Sequence, residues 1–229
     1  MPTALIVGAS RGLGLAIAAE FLKSEWSVIG TVRGGARAGM HDLVEAYPER
    51  AEVEKLDMNR PDQIAALRER LADRTLDLLF VNAGTTTHDP LACVGDVGAD
   101  EFTQVMITNA YSPMRVIEAL HDLVSPDGLI GAMSSGQGSI ANNETGTRDV
   151  YRASKAALNM LMRSFAARPE QNGRALLLMA PGWIRTDLGG EHAPYTVADS
   201  APILAGLLLS KRGVPGLQYL DRFGKEVPW

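Results

Sequence analysis

The chain has few of the residues that build disulfides and metal sites. Its 229 residues include a single cysteine, Cys93, which excludes an intrachain disulfide. The four histidines, at positions 41, 88, 121 and 192, are far apart and show no metal-ligand spacing. We therefore expect neither a disulfide framework nor a structural metal.

Concentrated charge of one sign is missing as well. The 22 lysines and arginines and the 27 aspartates and glutamates leave a net charge of −5, and both signs are scattered without a basic block. Because binding to nucleic acid or to anionic lipid needs clustered positive charge, neither is an expected partner. The expected ligand is a small molecule.

Long apolar runs are also missing. No uninterrupted apolar stretch reaches the roughly 20 residues that a membrane-spanning helix needs. The N-terminal segment MPTALIVG lacks the basic residues and the long apolar core of a secretory leader. These features predict a cytoplasmic protein without a membrane segment.

What the chain does contain is a regular alternation of short apolar runs and amphipathic stretches, typical of a parallel sheet with helices on both faces. Strands are predicted at residues 4–7, 27–32, 52–56, 77–81, 128–133, 174–179 and 217–220. Helices are predicted at residues 13–23, 39–47, 61–73, 100–123, 151–167 and 196–210. No linker or repeat marks a boundary, and 46% hydrophobic residues can build a sizeable core. We predict one α/β domain over residues 1–229, with a doubly wound, seven-stranded parallel sheet.

In such a sheet, ligands bind outside the carboxyl ends of the strands. Residues 85–99 and 185–195, rich in Gly, Thr, Asp and Pro, are predicted to be loops at this edge. A substrate pocket between them is expected to be lined by Thr86, His88, Asn142, Leu188, His192 and Tyr195.

A glycine-rich segment, GASRGLG, follows the first predicted strand and opens the first helix. Gly8, Gly12 and Gly14 permit a tight turn that brings backbone N–H groups and a helix N-terminus up to a pyrophosphate. Their spacing is Gly-x3-Gly-x-Gly rather than the commoner Gly-x-Gly-x2-Gly. Taken alone, the segment is also compatible with a plain turn between a strand and a helix.

The end of the second predicted strand bears on the type of dinucleotide. A cofactor with a free ribose 2′-hydroxyl usually meets an acidic residue there, but this chain has Thr31, Val32 and Arg33 at that place. Arg33, together with Arg11 in the glycine turn, offers guanidinium groups to a 2′-phosphate. This pattern favours NADP(H), although both arginines could instead be solvated surface residues.

Tyr151 and Lys155 stand four residues apart at the start of a predicted helix, and this spacing places them on one face. A free phenol has a pKa of about 10, and a fixed positive charge nearby lowers it. The pair therefore indicates acid–base chemistry at neutral pH. A methyltransferase with a similar nucleotide fold would explain the glycine turn but not this pair.

These motifs, taken in order, resemble those of the short-chain dehydrogenase/reductases over essentially the whole chain. The matching features are the glycine turn, NAG at 82–84, Asn109 in a long helix, a serine after the fifth strand, YxxxK at 151–155 and PGWIRTDLGG at 181–190. The segment GSIANNETGTRDVYRASKAALNM and the C-terminal FGKEVPW are similar to the C-factor and sniffer-type carbonyl reductases. The resemblance implies a single-domain Rossmann fold.

The resemblance also implies a catalytic set. Tyr151 matches the family's acid–base tyrosine, and Lys155 matches the lysine that binds the nicotinamide ribose and lowers the pKa of the tyrosine. Asn109 matches the asparagine that bends its helix and holds a water linked to the lysine. Ser135 is preferred over Ser134 as the serine that hydrogen-bonds the substrate carbonyl, because side chains alternate along a strand end, and Ser139 is the fallback.

The resemblance further implies which residues contact the cofactor. They are Gly8, Ser10, Arg11, Gly12, Leu13, Gly14, Arg33, Asp57, Met58, Asn82, Ala83, Gly84, Tyr151, Lys155, Pro181, Gly182, Ile184 and Thr186. The carboxylate of Asp57 could instead cap a helix or a loop. Val7 departs from the family, which usually places a threonine before the first glycine, so a local hydrogen bond in the turn is expected to be lost.

The expected function is the NADPH-dependent reduction of an aldehyde or ketone, with the reverse alcohol oxidation equally compatible. A C-factor-like signalling or dinucleotide-sensing protein with incidental turnover is the alternative. In many relatives the helices that match residues 100–123 and 151–167 form a dimer interface, so a homodimer or homotetramer is compatible with the chain.

Overall fold

The computed structural model describes residues 1–229 and contains one sheet of seven parallel strands. They are β1 (Thr3–Val7), β2 (Ser27–Val32), β3 (Ala51–Lys55), β4 (Leu76–Val81), β5 (Val124–Met133), β6 (Ala175–Ala180) and β7 (Gly216–Asp221). Their order across the sheet is β3-β2-β1-β4-β5-β6-β7, and every neighbouring pair is parallel. The predicted fold class is confirmed.

The helices follow the predicted positions closely. They are α1 (Gly12–Lys23), α2 (Gly39–Ala46), α3 (Pro61–Arg70), α4 (Ala99–Met106), α5 (Ser112–Leu120), α6 (Asp149–Ala166) and α7 (Val197–Ser210). Sequence signals explain two of the starts. Pro61 occupies the first turn of α3, and the Thr196 hydroxyl accepts a hydrogen bond from the Asp199 N–H at the start of α7. None of these helices combines the length and apolar content needed to cross a membrane.

One helix differs from its prediction. The stretch predicted as a single helix over residues 100–123 consists of α4 and α5 joined by a π-helical turn, Ile107–Tyr111. π-Helical turns are rare and are frequently found at functional sites. This one contains Asn109.

Alternation along the strands divides the core between the two faces of the sheet. Leu5, Leu79 and Leu176 point to the face covered by α3, α5 and α6. Ile6, Phe80 and Leu177, the next residue in each strand, point to the face covered by α1, α2 and α7. The sheet is therefore buried on both sides, as its near-continuous apolar strands predict.

The order of the strands creates a cleft at one place. From β1 the chain runs outward through β2 and β3, and then returns to place β4 on the other side of β1. At this switch point the loops after β1 and β4 diverge, and dinucleotides bind in the resulting crevice. The glycine turn and the NAG segment both lie here.

Candidate active site

The glycine turn needs residues without a side chain. Gly8 and Gly12 have φ values of 90° and 57°, which residues with a side chain rarely adopt. A Cβ on Gly14 would lie 2.1 Å from the Gly8 carbonyl oxygen and 2.5 Å from the Asn82 amide nitrogen. The backbone therefore folds back on itself tightly, and α1 begins directly against the cleft.

The NAG segment after β4 holds this turn in place. The backbone N–H groups of Asn82 and Ala83 both donate to the Val7 carbonyl, at 2.9 and 3.1 Å. The Asn82 side-chain amide donates to the Gly8 carbonyl at 3.0 Å. Asn82 and Ala83 thus act as structural supports of the glycine turn.

The hydrogen bond expected to be lost at Val7 is supplied from the neighbouring strand. The Gly8 N–H donates to the hydroxyl of Thr31, which is buried in β2, at 3.0 Å. Ile6 pairs with Gly30 in the register of β1 and β2, so Thr31 lies beside the start of the turn. A residue distant in sequence therefore supplies a hydrogen bond at the start of the turn.

The two arginines proposed for a 2′-phosphate have different surroundings. Arg33 is exposed at the end of β2, and no carboxylate lies within 4 Å of it. Arg11 is exposed in the glycine turn and forms an ion pair of 3.1 Å with Asp187, from the loop at 185–195. This surface pair brings the two sides of the cleft together, and its contribution to stability is small because both partners are solvated.

Asp57 and Met58 follow β3 at the same edge. The Asp57 carboxylate accepts the N–H of Asn59 at 3.0 Å, while its own N–H donates to the Gln63 side chain at 2.8 Å. Asp57 therefore fixes its loop, which is the alternative role considered for it. Met58 is buried in the core beside it.

Ser135, Tyr151 and Lys155 come together at the carboxyl ends of β5 and β6. Tyr151 and Lys155 lie in the first turns of α6 and are both almost fully buried. The Ser135 hydroxyl lies close enough to the Tyr151 phenol to lower its pKa by hydrogen bonding. The Lys155 ammonium donates to the Met133 carbonyl at 2.8 Å, at the end of β5.

Ser134, the neighbour of Ser135, faces away from this cluster. Its hydroxyl donates to the Asn159 side-chain oxygen at 2.6 Å, and both residues are buried. The fallback serine, Ser139, accepts the Asn142 N–H and donates to the Trp229 carbonyl oxygen. Ser135 is thus the serine placed beside Tyr151.

Asn109 is completely buried, and both the N–H groups and the oxygen of its side-chain amide are hydrogen-bonded. It accepts the Thr85 N–H at 2.8 Å and donates to the Thr85 carbonyl at 2.8 Å and to the Ser154 hydroxyl at 2.9 Å. A Cβ on Gly84 would lie 3.3 Å from the Asn109 side-chain oxygen and 3.5 Å from the Lys155 nitrogen. The asparagine therefore fixes the loop after β4 against α6, directly beside Lys155.

The PGWIRT segment after β6 forms the opposite wall. Pro181 leads into Gly182, which has a φ of 86°, and Ile184 is buried and bridged to Tyr195. The methyl group of Thr186 would lie 3.8 Å from a Cβ on Gly12. This segment therefore closes over the glycine turn from the other side of the cleft.

The electrostatics of Tyr151 show a contribution that sequence reasoning missed. Burial raises the pKa of Tyr151, and the charge of Arg148 and the Ser135 hydroxyl oppose this effect. The Lys155 nitrogen lies 5.9 Å from the centre of the tyrosine ring, against 4.9 Å for the Arg148 guanidinium carbon. Arg148 precedes α6 in a left-handed backbone conformation, so helical spacing does not predict this contact.

Comparisons with known proteins identify the family of the chain. A family model described as short chain dehydrogenase matches residues 2–195. The C-signal protein of Myxococcus xanthus is 35% identical over 163 residues, which cover 67% of this chain and 93% of that protein. The chain belongs to the short-chain dehydrogenase family and is an oxidoreductase.

Two solved structures are similar over the full length of the chain. A short-chain dehydrogenase/reductase from Burkholderia multivorans, crystallised with bound NADP, is 58% identical with a TM-score of 0.97, covering 100% of this chain and 99% of that one. The carbonyl reductase Sniffer of D. melanogaster is 26% identical with a TM-score of 0.86, covering 100% of both chains. The resemblance to C-factor and sniffer-type proteins is therefore confirmed.

The burial of Lys155 leads to a prediction about stability. Burial lowers the pKa of Lys155 from 10.5 to about 8, so the folded protein at pH 7 encloses a charged ammonium at a cost. Replacing Lys155 by Met should therefore raise the free energy of unfolding at pH 7 by on the order of 1 to 3 kcal/mol. Chemical denaturation measures this change.

The stability difference between the parent and the Lys155→Met variant should depend on pH. Between about pH 8 and 10.5 the folded parent has lost this proton while the unfolded chain keeps it, so the parent's stability rises with pH across that window. The advantage of the Met variant should shrink accordingly, whereas Lys225→Met, at an exposed lysine, should show no such trend. An advantage that stays constant from pH 7 to pH 10 would contradict a buried charge.

The two serines lead to a second prediction. Ser135→Ala should lower kcat/KM by about 10²-fold, because its hydroxyl faces the phenol. Ser134→Ala should keep most activity but lower the free energy of unfolding by about 1 to 3 kcal/mol, because it leaves the Asn159 oxygen buried without a partner. Each variant is the control for the other, and equal activity losses would show that the assignment of the serines is wrong.

Proposed function

We propose that this protein is an NADPH-dependent carbonyl reductase that converts a small to medium aldehyde or ketone into its alcohol. The observation that carries the proposal is the placement of Ser135 beside Tyr151, with Lys155 one helical turn away, at the same edge as the glycine turn. The similar Burkholderia protein binds NADP, and Sniffer is a carbonyl reductase. Reverse oxidation of an alcohol by the same residues is part of the proposal.

The residues present fit a dinucleotide phosphate. The turn can fold this tightly because a Cβ on Gly8 would collide with Ala83 and a Cβ on Gly14 with the Gly8 carbonyl. No side chain caps the N-terminus of α1, so its first N–H groups are left for an anionic ligand. Arg33 is exposed with no carboxylate to neutralise it, so it is available to a 2′-phosphate. When bound, NADPH supplies the hydride for the carbonyl carbon.

The roles of the side chains follow from their positions. The Ser135 hydroxyl would hold the carbonyl oxygen, and the Tyr151 phenol would give that oxygen its proton. Lys155 would bind the nicotinamide ribose and place a positive charge near the tyrosine. Asn109 fixes the loop after β4 beside Lys155 through its two hydrogen bonds to the Thr85 backbone. The remaining predicted contacts, from Ser10 to Thr186, stay part of the proposal.

The proposal also includes one domain over residues 1–229, a cytoplasmic location and a homodimer or homotetramer. The similarity to the C-signal protein supports one alternative, a signalling or dinucleotide-sensing role. Parent protein that binds NADPH but reduces no member of a broad panel of aldehydes and ketones would favour that alternative.

Replacing Tyr151 by Phe tests the chemistry. Loss of the phenolic hydroxyl should lower kcat by about 10²-fold or more, the usual scale for general acid catalysis, while the dissociation constant for NADPH stays nearly unchanged. Steady-state kinetics and fluorescence titration measure the two quantities. Tyr47→Phe, after α2, is the matched control, and a Tyr151→Phe variant with near-normal turnover would show that another group donates the proton.

Replacing Arg33 by Ala tests the cofactor preference. Charge-assisted hydrogen bonds to a phosphate are worth about 1.5 to 3 kcal/mol, so the parent should prefer NADPH over NADH by at least about tenfold in kcat/KM. The variant should lose most of this ratio, and added salt should weaken it in the parent. Arg37→Ala is the control, because its guanidinium already pairs with Asp42 and Glu45. A preference for NADH, or one that survives loss of both Arg11 and Arg33, would contradict the assignment.

A further inference from the structure

The chain enters α6 through an unusual backbone. Gly146, Thr147 and Arg148 all have positive φ values, of 68°, 64° and 56°. Such values are uncommon for residues with a side chain and, where they occur, cluster at functional sites. The Arg152 side chain donates to the Thr147 carbonyl at 2.8 Å and holds the segment from the helix side.

The result of this geometry is a guanidinium pressed against the acid–base tyrosine. The Arg148 guanidinium carbon lies 4.9 Å from the centre of the Tyr151 ring. Its Nε and Nη2 atoms are buried, and neither donates a hydrogen bond. The residue as a whole is half-buried, and a partly desolvated cation over the face of an aromatic ring interacts with it more strongly than a fully solvated one.

No negative charge neutralises this cation. No carboxylate lies within 4 Å of Arg148, and that of the adjacent Asp149 accepts the Val94 N–H. The field of the guanidinium therefore acts on Tyr151 with little local compensation.

The other groups that face Tyr151 place less positive charge against its ring than Arg148 does. Lys155, on the same helix, is bonded to the Met133 carbonyl and lies farther from the ring. Tyr219, from β7, and Ser135, from the loop after β5, carry no charge as folded, and burial raises the pKa of Tyr219. Arg148 is thus the nearest cation to the phenol ring.

We propose that Arg148 is a positioning residue that keeps Tyr151 ready to release and take up its proton, through the positive charge it places against the ring face. The inference rests on the proposed reductase function, in which Tyr151 gives a proton to the carbonyl oxygen. A cation at this distance stabilises the phenolate relative to the phenol. The charge of Arg148 thus opposes the effect of burial on Tyr151, and the buried phenol can still release its proton.

The test is the pH profile of alcohol oxidation with NADP, measured as kcat/KM in the parent and in Arg148→Met and Arg148→Gln. Loss of the charge should move the limb that reports Tyr151 ionisation to higher pH by about 1 unit. Arg148→Lys should keep the limb close to its position in the parent, because it restores the charge. Arg168→Met, beyond the far end of α6 and about 27 Å from its start, removes the same charge and should leave the limb unchanged.

A purely structural role of Arg148 predicts a different change in the pH profile. If Arg148 only shaped the loop, the neutral variants would lower the plateau of the profile without moving its limb, and this would overturn the proposal. Two neutral variants are used so that one that fails to fold does not remove the test.

A second measurement does not need turnover. Ultraviolet absorbance follows tyrosine ionisation in the protein bound to NADP, and subtracting the titration of Tyr151→Phe isolates the contribution of Tyr151. The ionisation should occur at higher pH in Arg148→Gln than in the parent, and an unchanged midpoint would overturn the inference. If the parent reduced no carbonyl compound, the proposed function would fail, while this titration would still decide whether Arg148 acts on Tyr151.

Discussion

The contact between the glycine turn and the end of β4 is the constraint on which the rest of the site depends. Gly14 comes so close to the Gly8 carbonyl that no Cβ fits, and Asn82 bonds that same carbonyl. This packing determines where α1 begins and keeps β1 and β4 together at the switch point of the sheet. This packing therefore sets the position of the crevice and of the loop after β4. The face of α6 borders the same crevice.

On the opposite side of the cleft, two ionisable side chains are buried at a cost in stability. α6 buries Tyr151 and Lys155 where a packed helix would normally place apolar residues. Burial raises the pKa of the phenol and lowers that of the ammonium, so each group is pushed toward its neutral form. The strained entry at Arg148 adds a positive charge on the same side. Such costs are common at sites whose groups must exchange protons.

Much of the fold could be predicted because its signals are local. Alternating apolar runs and punctuating glycines located all seven strands within a few residues, and Pro61 and Thr196 marked helix starts correctly. The long helix at 100–123 was predicted without its π-helical turn at Asn109. Asn109 in this turn is bonded to Thr85 and Ser154 on other elements, and the local sequence pattern does not report such contacts.

The sequence by itself determined the layers of the fold, the place of the cleft and the types of residue that border it, because each depends on spacing along one strand or one helix. Four-residue spacing alone put Tyr151 and Lys155 on one face. Alternation at the strand end favoured Ser135 over Ser134, and the structure places Ser135 beside the tyrosine. Only the tertiary structure decided that Thr31 replaces the missing threonine at Val7 and that Arg148 is the nearest cation to the ring. Most of these groups lie on different elements, or on a loop that enters a helix. Their distances therefore depend on how the elements pack and not on the sequence pattern within any one of them.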